Sequence, residues 1–188
     1  MSASPTAFLA LVSVLMLAGC AANTAAKKPA PPAPAVLEAT QCGSMQRVHA
    51  LGDFLFASQP SREDFALAKD AGVRTVLNFR HRGELPPDFD EKSIVEGLGM
   101  TYVSLPWSGE DQLTDEVFDK GRDVLTTGER PMLVHCASAN RVGAIVLVWR
   151  VLDHGVPFDQ ALDEAQRIGM KTPGFERRAK AYIASHTK

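Results

Sequence analysis

From Gln46 onward the hydrophobic and polar spacing alternates between short β-rich runs and segments of helical period. Gln46 to Ala50 and Phe54 to Ala57 flank a Gly52-Asp53 turn and predict a hairpin. Ser61-Arg-Glu-Asp64 is a capping-box-like start, and Phe65, Leu67 and Ala68 give an apolar helical face that ends at Gly72. Val73 to Phe79 is rich in β-branched and large apolar residues and predicts a central strand. A polar loop, Arg80 to Pro87, leads to a short helix from Glu91 to Leu98 closed by Gly99, then to a strand from Met100 to Leu105. Trp107 to Leu113 reads as a loop. Thr114 caps a helix over Asp115 to Thr127, with Val117, Phe118, Val124 and Leu125 at helical spacing. A short strand, Met132 to Val134, runs into His135 and Cys136, and an apolar helix opens at Val142 and continues to His154. Two more helices follow, one after Val156-Pro-Phe158 and one from Phe175 to Ser185.

Strands alternating with helices predict one α/β domain whose central, mostly parallel sheet is flanked by helices. In such sheets ligands sit beyond the carboxyl ends of the strands. Three loops leave strands there: Arg80 to Pro87, Pro106 to Leu113, and Cys136 to Arg141. The last carries the chemistry. A strand, a tight turn and a helix bring the turn's N–H groups to a helix N-terminus, where they can hold an anion. The same dipole favours the thiolate of Cys136, the nucleophilic form, and Arg141 can fork two hydrogen bonds onto an oxyanion. A buried inert thiol is the competing reading of Cys136.

Composition adds little to this picture except at the N-terminus. The 188 residues are 45% hydrophobic and 22% charged with a formal net charge of −2, which suits one domain plus a tail and gives no reason to expect a nucleic-acid partner. Phe8 to Leu17 is nearly all apolar, too short to span a bilayer, and ends at Leu17-Ala18-Gly19-Cys20. That tetrad resembles a bacterial lipobox, although Met1 to Thr6 lacks Lys and Arg. The resemblance implies that Cys20 is lipidated as the first mature residue; an ordinary cleaved signal peptide is the alternative. Ala21 to Ala35 is Ala/Pro-rich with too few large apolar residues to pack. The expected organisation is a signal peptide over residues 1–20, a tether over 21–40 and a catalytic domain over 41–188. Ala21 and Ala22 in place of Asp imply, by likeness to bacterial lipoproteins, anchoring at the outer membrane facing the periplasm.

The His135-Cys136-turn-Arg141 arrangement resembles the phosphate-binding loop of cysteine-dependent protein phosphatases. The wider pattern comprises Ser58-Gln-Pro-Ser61, Ala71-Gly-Val-Arg-Thr-Val-Leu-Asn-Phe-Arg80, Glu84, Tyr102-Val-Ser-Leu-Pro106 and His135-Cys-Ala-Ser-Ala-Asn-Arg-Val-Gly143. It is similar to the β-lactamase-hydrolase-like group within the tyrosine and dual-specificity phosphatase fold. The resemblance implies a Cys136 thiophosphoryl intermediate and a cradle from Ala137, Ser138, Ala139, Asn140, Arg141 and Val142. It further implies that His135 orients the loop and supports the thiolate. The general acid would come from the Trp107-to-Asp111 loop: Asp111 first, Glu110 second. The implied partner is a phosphorylated protein or small molecule. No cofactor is implied, and no clustered metal-ligand set is evident. Arg80 widens the positive rim or pairs structurally with Glu84, and both readings stand. Phe79 and Trp149 are expected in the core.

Two positions depart from the phosphatase pattern. Four residues, not five, separate Cys136 from Arg141, and Val142 stands where a Ser or Thr hydroxyl is usual. Ser138 is a candidate substitute for that hydroxyl. The shorter loop is closer to rhodanese-type sulfurtransferases, which leaves a Cys136 persulfide carrier as a second reading and a weakly active anion-binding envelope protein as a third. Cys42 is unassigned: a free thiol, or a regulatory disulfide partner for Cys136.

Overall fold

The computed structural model describes residues 36–187. The expected signal peptide, Cys20 and the expected tether up to residue 35 lie outside the described residues. The strands are β1 (Glu38–Ala39), β2 (His49–Leu51), β3 (Phe54–Ala57), β4 (Thr75–Asn78), β5 (Thr101–Ser104) and β6 (Met132–His135). The helices are α1 (Arg62–Asp70), α2 (Glu91–Gly97), α3 (Gly109–Gln112), α4 (Asp115–Thr127), α5 (Asn140–His154), α6 (Phe158–Ile168) and α7 (Pro173–His186), with a 3-10 turn at Arg82–Glu84.

The strands form one six-stranded sheet in the order β1-β2-β3-β6-β4-β5. β1, β2 and β3 are joined antiparallel, whereas β3, β6, β4 and β5 run parallel. The expected α/β class and mostly parallel sheet are therefore present. Register decides where the site falls. His135 pairs with Ala57 on one side and Asn78 on the other, and Asn78 pairs with Ser104. Four parallel strands thus end level, and the segments starting at Ser58, Phe79, Leu105 and Cys136 leave the sheet at one edge.

Side chains alternate across the sheet with period two. Phe54, Phe56, Leu77, Met132 and Val134 face the larger core, shared with α4 to α7, while Ala57, Val76 and Leu133 face the smaller one under α1 and α2. Every residue of α5 from Arg141 to Arg150 is buried, as a helix apolar on all sides requires. Val142, Ile145, Val146, Leu147 and Val148 each remove a large apolar side chain from water, worth about 1.5–3 kcal/mol apiece relative to exposure. α6 approaches α5 where Gly143 leaves room: a Cβ there would stand 2.5 Å from the Ala165 carbonyl oxygen. Phe79 and Trp149 are core residues as expected, at 0% and 2% exposure.

Three boundaries differ from the sequence expectation. The folded unit begins before residue 41: β1 lies inside the expected tether, Leu37 is 3% exposed in the larger core, and Arg167 donates to the Leu37 carbonyl at 2.9 Å. A two-residue edge strand carries no periodic signal. The segment from Trp107 to Leu113 is not all loop, since Gly109–Gln112 closes one helical turn. Finally, α5 starts at Asn140 rather than Val142, because Ala139 ends the turn in the left-handed region at φ 62°.

Candidate active site

Cys136 follows directly on β6 and is 1% exposed. The α5 ladder begins with the Gly143 N–H donating to the Ala139 carbonyl at 3.0 Å. The first-turn N–H groups of Asn140, Arg141 and Val142 therefore lack a helical carbonyl and are available to an anion. The loop is braced from both sides. Ser138 forms a bridge with Ser58, its carbonyl accepts from Arg47 Nη1 at 3.1 Å, and the Ala137 carbonyl accepts from the Gln59 N–H at 3.5 Å. Asn140 Nδ2 donates to Thr172 Oγ1 at 2.8 Å, and its Oδ1 accepts from the Lys171 N–H at 2.8 Å, tying the loop to the α6–α7 connection. A polar hollow of about 340 Å³ beside the loop is lined by Ser44, Gln46, Arg47, Ser58, Gln59, Ala137 and Ser138.

Arg141 is where the three loops meet. Its Nη1 donates to the carbonyls of Phe79 at 2.9 Å and Trp107 at 2.7 Å and to Glu84 Oε1 at 2.8 Å, while Nη2 donates to Glu84 Oε2 at 2.5 Å. Glu84 occupies the end-on fork of the guanidinium. Arg141 Nε makes no hydrogen bond to a protein oxygen among the described residues, and Cys136 is near enough to act on the charge of the guanidinium. Burial opposes the charge on Arg141, but the Glu84 hydrogen bond and the neighbouring Cys136 outweigh it and raise the pKa. The same contact acts on the partner: the Arg141 hydrogen bond, against burial and with help from the His81 N–H and Arg80, brings Glu84 down to about 2. The site thus carries a fixed, ionised Arg–Glu pair beside a buried thiol.

The remaining expected residues divide. Arg80 pairs with Glu84, Nε to Oε2 at 3.6 Å, and also donates to the Glu84 carbonyl and to Gln59 Oε1 at 2.7 Å, so it belongs to a braced cluster. His135 is not directed at Cys136. As neighbours on a strand they face opposite sides, and His135 Nε2 meets Glu91 Oε1 at 3.0 Å in the smaller core. Burial pushes the Glu91 carboxyl up, but hydrogen bonds from His135, Gln59 and Tyr102 prevail and lower it. Glu110 is held by Arg177 Nη2 at 2.8 Å and sits over Gly174, where a Cβ would lie 2.1 Å from its Oε2. Asp111 is exposed on α3, with no hydrogen-bond partner among the described residues. Cys42 and Cys136 are both free thiols; Cys42 packs against the smaller core and Cys136 belongs to the larger. Burial, then the charge of Asp64, raises the Cys42 pKa. No group of His, Cys, Asp and Glu suited to holding a metal occurs among the described residues.

Sequence reasoning did not assign Gln59, Glu91 or Arg47 to the site, and it linked Glu84 to Arg80 but not to Arg141. Gln59 lies in the Ser58-Gln-Pro-Ser61 segment that carries part of the family resemblance. Glu91 showed only as a helix-opening acid, yet its place on the apolar face of α2 marks it as a buried carboxylate in need of partners.

Fold and site together define a protein-tyrosine-phosphatase-like α/β domain, with a cysteine at a strand end and an arginine in the first turn of the next helix. Comparison with known proteins bears out the family resemblance. The chain is 28% identical over 190 residues to the dual specificity protein phosphatase TpbA of Pseudomonas aeruginosa, covering 97% of this chain and 83% of that protein. It is 25% identical over 134 residues to a beta-lactamase hydrolase-like protein of Xylella fastidiosa, covering 62% of this chain and 31% of the relative, so it spans about a third of that protein's length. The crystal structure of P. aeruginosa TpbA superposes with a TM-score of 0.62 at 25% identity, covering 82% of this chain and 92% of its own. No family model matches the chain.

Proposed function

We propose that this protein is a cysteine-dependent phosphatase that hydrolyses phosphomonoesters, aryl phosphates and phosphotyrosine foremost, at a periplasm-facing membrane surface. The observation that carries the reading is Arg141: three loops fix it, Glu84 fills its end-on fork, and its charge neighbours the Cys136 thiol at the N-terminus of α5. In the first step the Cys136 sulfur attacks phosphorus, the bond to the leaving oxygen breaks, and that oxygen takes a proton from Asp111. Arg141 and the first-turn N–H groups of α5 stabilise the equatorial oxygens. In the second step water attacks phosphorus, its proton passes to the Asp111 carboxylate, and the S–P bond breaks to release phosphate. Asp111 suits the acid role better than Glu110, which is engaged by Arg177. TpbA supports the substrate class, since its structure in complex with pTyr is known for a Cys-to-Ser variant.

The sulfurtransferase reading retains one specific support, the four-residue spacing between Cys136 and Arg141. One paired assay separates the two. The purified domain is offered an aryl phosphate and, separately, thiosulfate with cyanide, with Cys136→Ser as control. Phosphate release abolished by Cys136→Ser is the expected result; thiocyanate formation without phosphate release would sink the phosphatase. Asp111→Asn is expected to slow esters with poor leaving groups at least tenfold more than activated ones, within the roughly 10²–10⁴-fold scale of acid catalysis. An equal effect on both removes Asp111 from the role.

A further inference from the structure

The Ser58-Gln59-Pro60-Ser61 motif has no part in the chemistry above, yet its polar atoms converge on the catalytic loop. Ser61 is spent locally as the N-cap of α1, accepting from the Asp64 N–H at 3.1 Å. Ser58 bridges Ser138, and its hydroxyl accepts from the Gln46 N–H at 2.8 Å. Gln59 has a different arrangement, because its main chain and its side chain reach opposite ends of the loop. Its N–H donates to the Ala137 carbonyl at 3.5 Å, one residue after the nucleophile. Its side-chain Oε1 accepts from Arg80 Nη1 at 2.7 Å. Arg80 pairs with Glu84, and Glu84 grips Arg141, the last residue of the loop. At the other end of the amide, Nε2 donates to Glu91 Oε2 at 2.8 Å and to the Pro60 carbonyl at 3.1 Å. Glu91 is itself clamped by His135 at 3.0 Å. Both faces of the amide are thus fixed by charged partners of opposite sign, which allows only one orientation.

The charges explain why such a link is useful. Glu84 neutralises Arg141, and a neutral pair would have little attraction for a phosphate dianion. Arg80 returns a positive charge to the cluster, but only if it is held on Glu84 rather than released to water. A guanidinium on a flexible stem is held where its donors find acceptors, and Gln59 Oε1 is the acceptor that comes from the braced side of the loop.

We propose that Gln59 is a positioning residue of the oxyanion cradle: its main chain holds Ala137, and its side chain, through Arg80 and Glu84, sets Arg141. The proposal rests on the reading of Cys136 to Arg141 as an oxyanion site. It assigns the Ser-Gln-Pro-Ser motif a function in catalysis at a distance, with no contact between Gln59 and substrate.

The test is a double-mutant cycle on Gln59→Met and Glu84→Gln, read by inorganic phosphate binding in calorimetry and by kcat and KM for an aryl phosphate, with thermal melting as the folding control. Gln59→Met keeps the shape and loses the hydrogen bonds. It is expected to weaken phosphate binding and lower kcat/KM about ten- to a hundredfold, the scale of one lost hydrogen bond to a charged group. The double variant is expected to be no worse than about twofold beyond the poorer single variant, because both substitutions break one chain of contacts. Losses that multiply, or phosphate binding unchanged in Gln59→Met, overturn the proposal. Gln59→Glu supplies a second variant. Its carboxyl faces Glu91, which favours the protonated form, and Arg80, which favours the ionised one; once protonated it donates to Glu91 and accepts from Arg80 as glutamine does. Activity relative to wild type is expected to recover as pH falls; a deficit independent of pH counts against the brace. Phosphate binding without turnover in the wild type fails the phosphatase reading alone and leaves the brace to the same cycle on phosphate affinity. A wild type that binds no oxyanion overturns both.

Discussion

At the scale of single residues, the site depends on one carboxylate that does no chemistry. Glu84 is half-buried between two guanidinium groups, and its carboxyl is lowered to about 2, chiefly by the Arg141 hydrogen bond. An unfolded glutamate titrates near about 4.3. The folded value is the lower one, so this pair's contribution to stability is complete above the unfolded value and is lost as pH falls towards the folded value. Wild type is therefore expected to unfold at higher temperature than Glu84→Gln near neutral pH, with the gap closing between about pH 4.5 and about pH 2. A gap independent of pH over that window would show that Glu84 acts by packing and not by charge. The substitution also turns an amide NH₂ towards Arg141, so weaker phosphate binding should accompany the lower stability. Cys136 and Arg141 were legible in the sequence because the strand, turn and helix around them are contiguous. The grip of Glu84 on Arg141 was not, since it joins residues 57 apart that meet only once β4 and β6 are in register.

At the scale of elements, what was legible was what is local. α4 runs from Asp115 to Thr127 behind the Thr114 cap, as its period and capping residue indicated. The geometry of the catalytic turn was hidden, because it depends on an element that arrives later in the chain. Ala139 stands in the left-handed region at φ 62°, a conformation that costs an L-residue roughly 1–2 kcal/mol. Room for it comes from Gly169, at the end of α6, where a Cβ would lie 3.0 Å from the Ser138 carbonyl oxygen and 3.2 Å from the Ala139 Cβ. Gly169 itself has φ 145°, a region closed to most side chains. Gly169→Ala is expected to destabilise the fold by about 1–3 kcal/mol and to weaken phosphate binding by shifting Ser138 and Ala139. Ala139→Gly in the same chain removes the Cβ contact and leaves the two backbone ones, to the Ser138 carbonyl oxygen and, at 3.2 Å, the Ala139 carbonyl carbon, so it should recover part of the loss. Calorimetric melting and phosphate titration of the single and double variants measure this, and losses that simply add would break the link between α6 and the loop.

At the scale of the whole molecule, the Cys136 edge of the sheet and the start of the folded unit are separate problems, and β1 connects the second to the proposed anchor. Leu37 buries its side chain in the larger core, its carbonyl accepts from Arg167, and the Thr40 N–H donates to Val48 at 2.9 Å. A chain beginning at residue 42 loses that leucine, worth about 1.5–3 kcal/mol of burial, along with the edge strand. Against a chain beginning at residue 36 it should melt roughly 3–12 °C lower, at about 2–4 °C per kcal/mol for this size, and equal melting temperatures would mean that β1 is dispensable. The same fixed point sets the reach of the proposed tether. If Cys20 carries lipid, about sixteen residues separate it from Leu37, and fully extended they span at most about 50–60 Å. One lipid chain gives only marginal membrane binding and stable anchoring takes more, so the lipobox reading, in which Cys20 becomes multiply acylated, predicts near-complete partition into a detergent phase. Cys20→Ala should move the protein to the aqueous phase, or leave it with an uncleaved leader, while the activity of the folded domain is unchanged. Partition identical to wild type in a chain whose leader has been cleaved, read by intact mass, would remove Cys20 as the anchor and return the N-terminus to an ordinary cleaved signal.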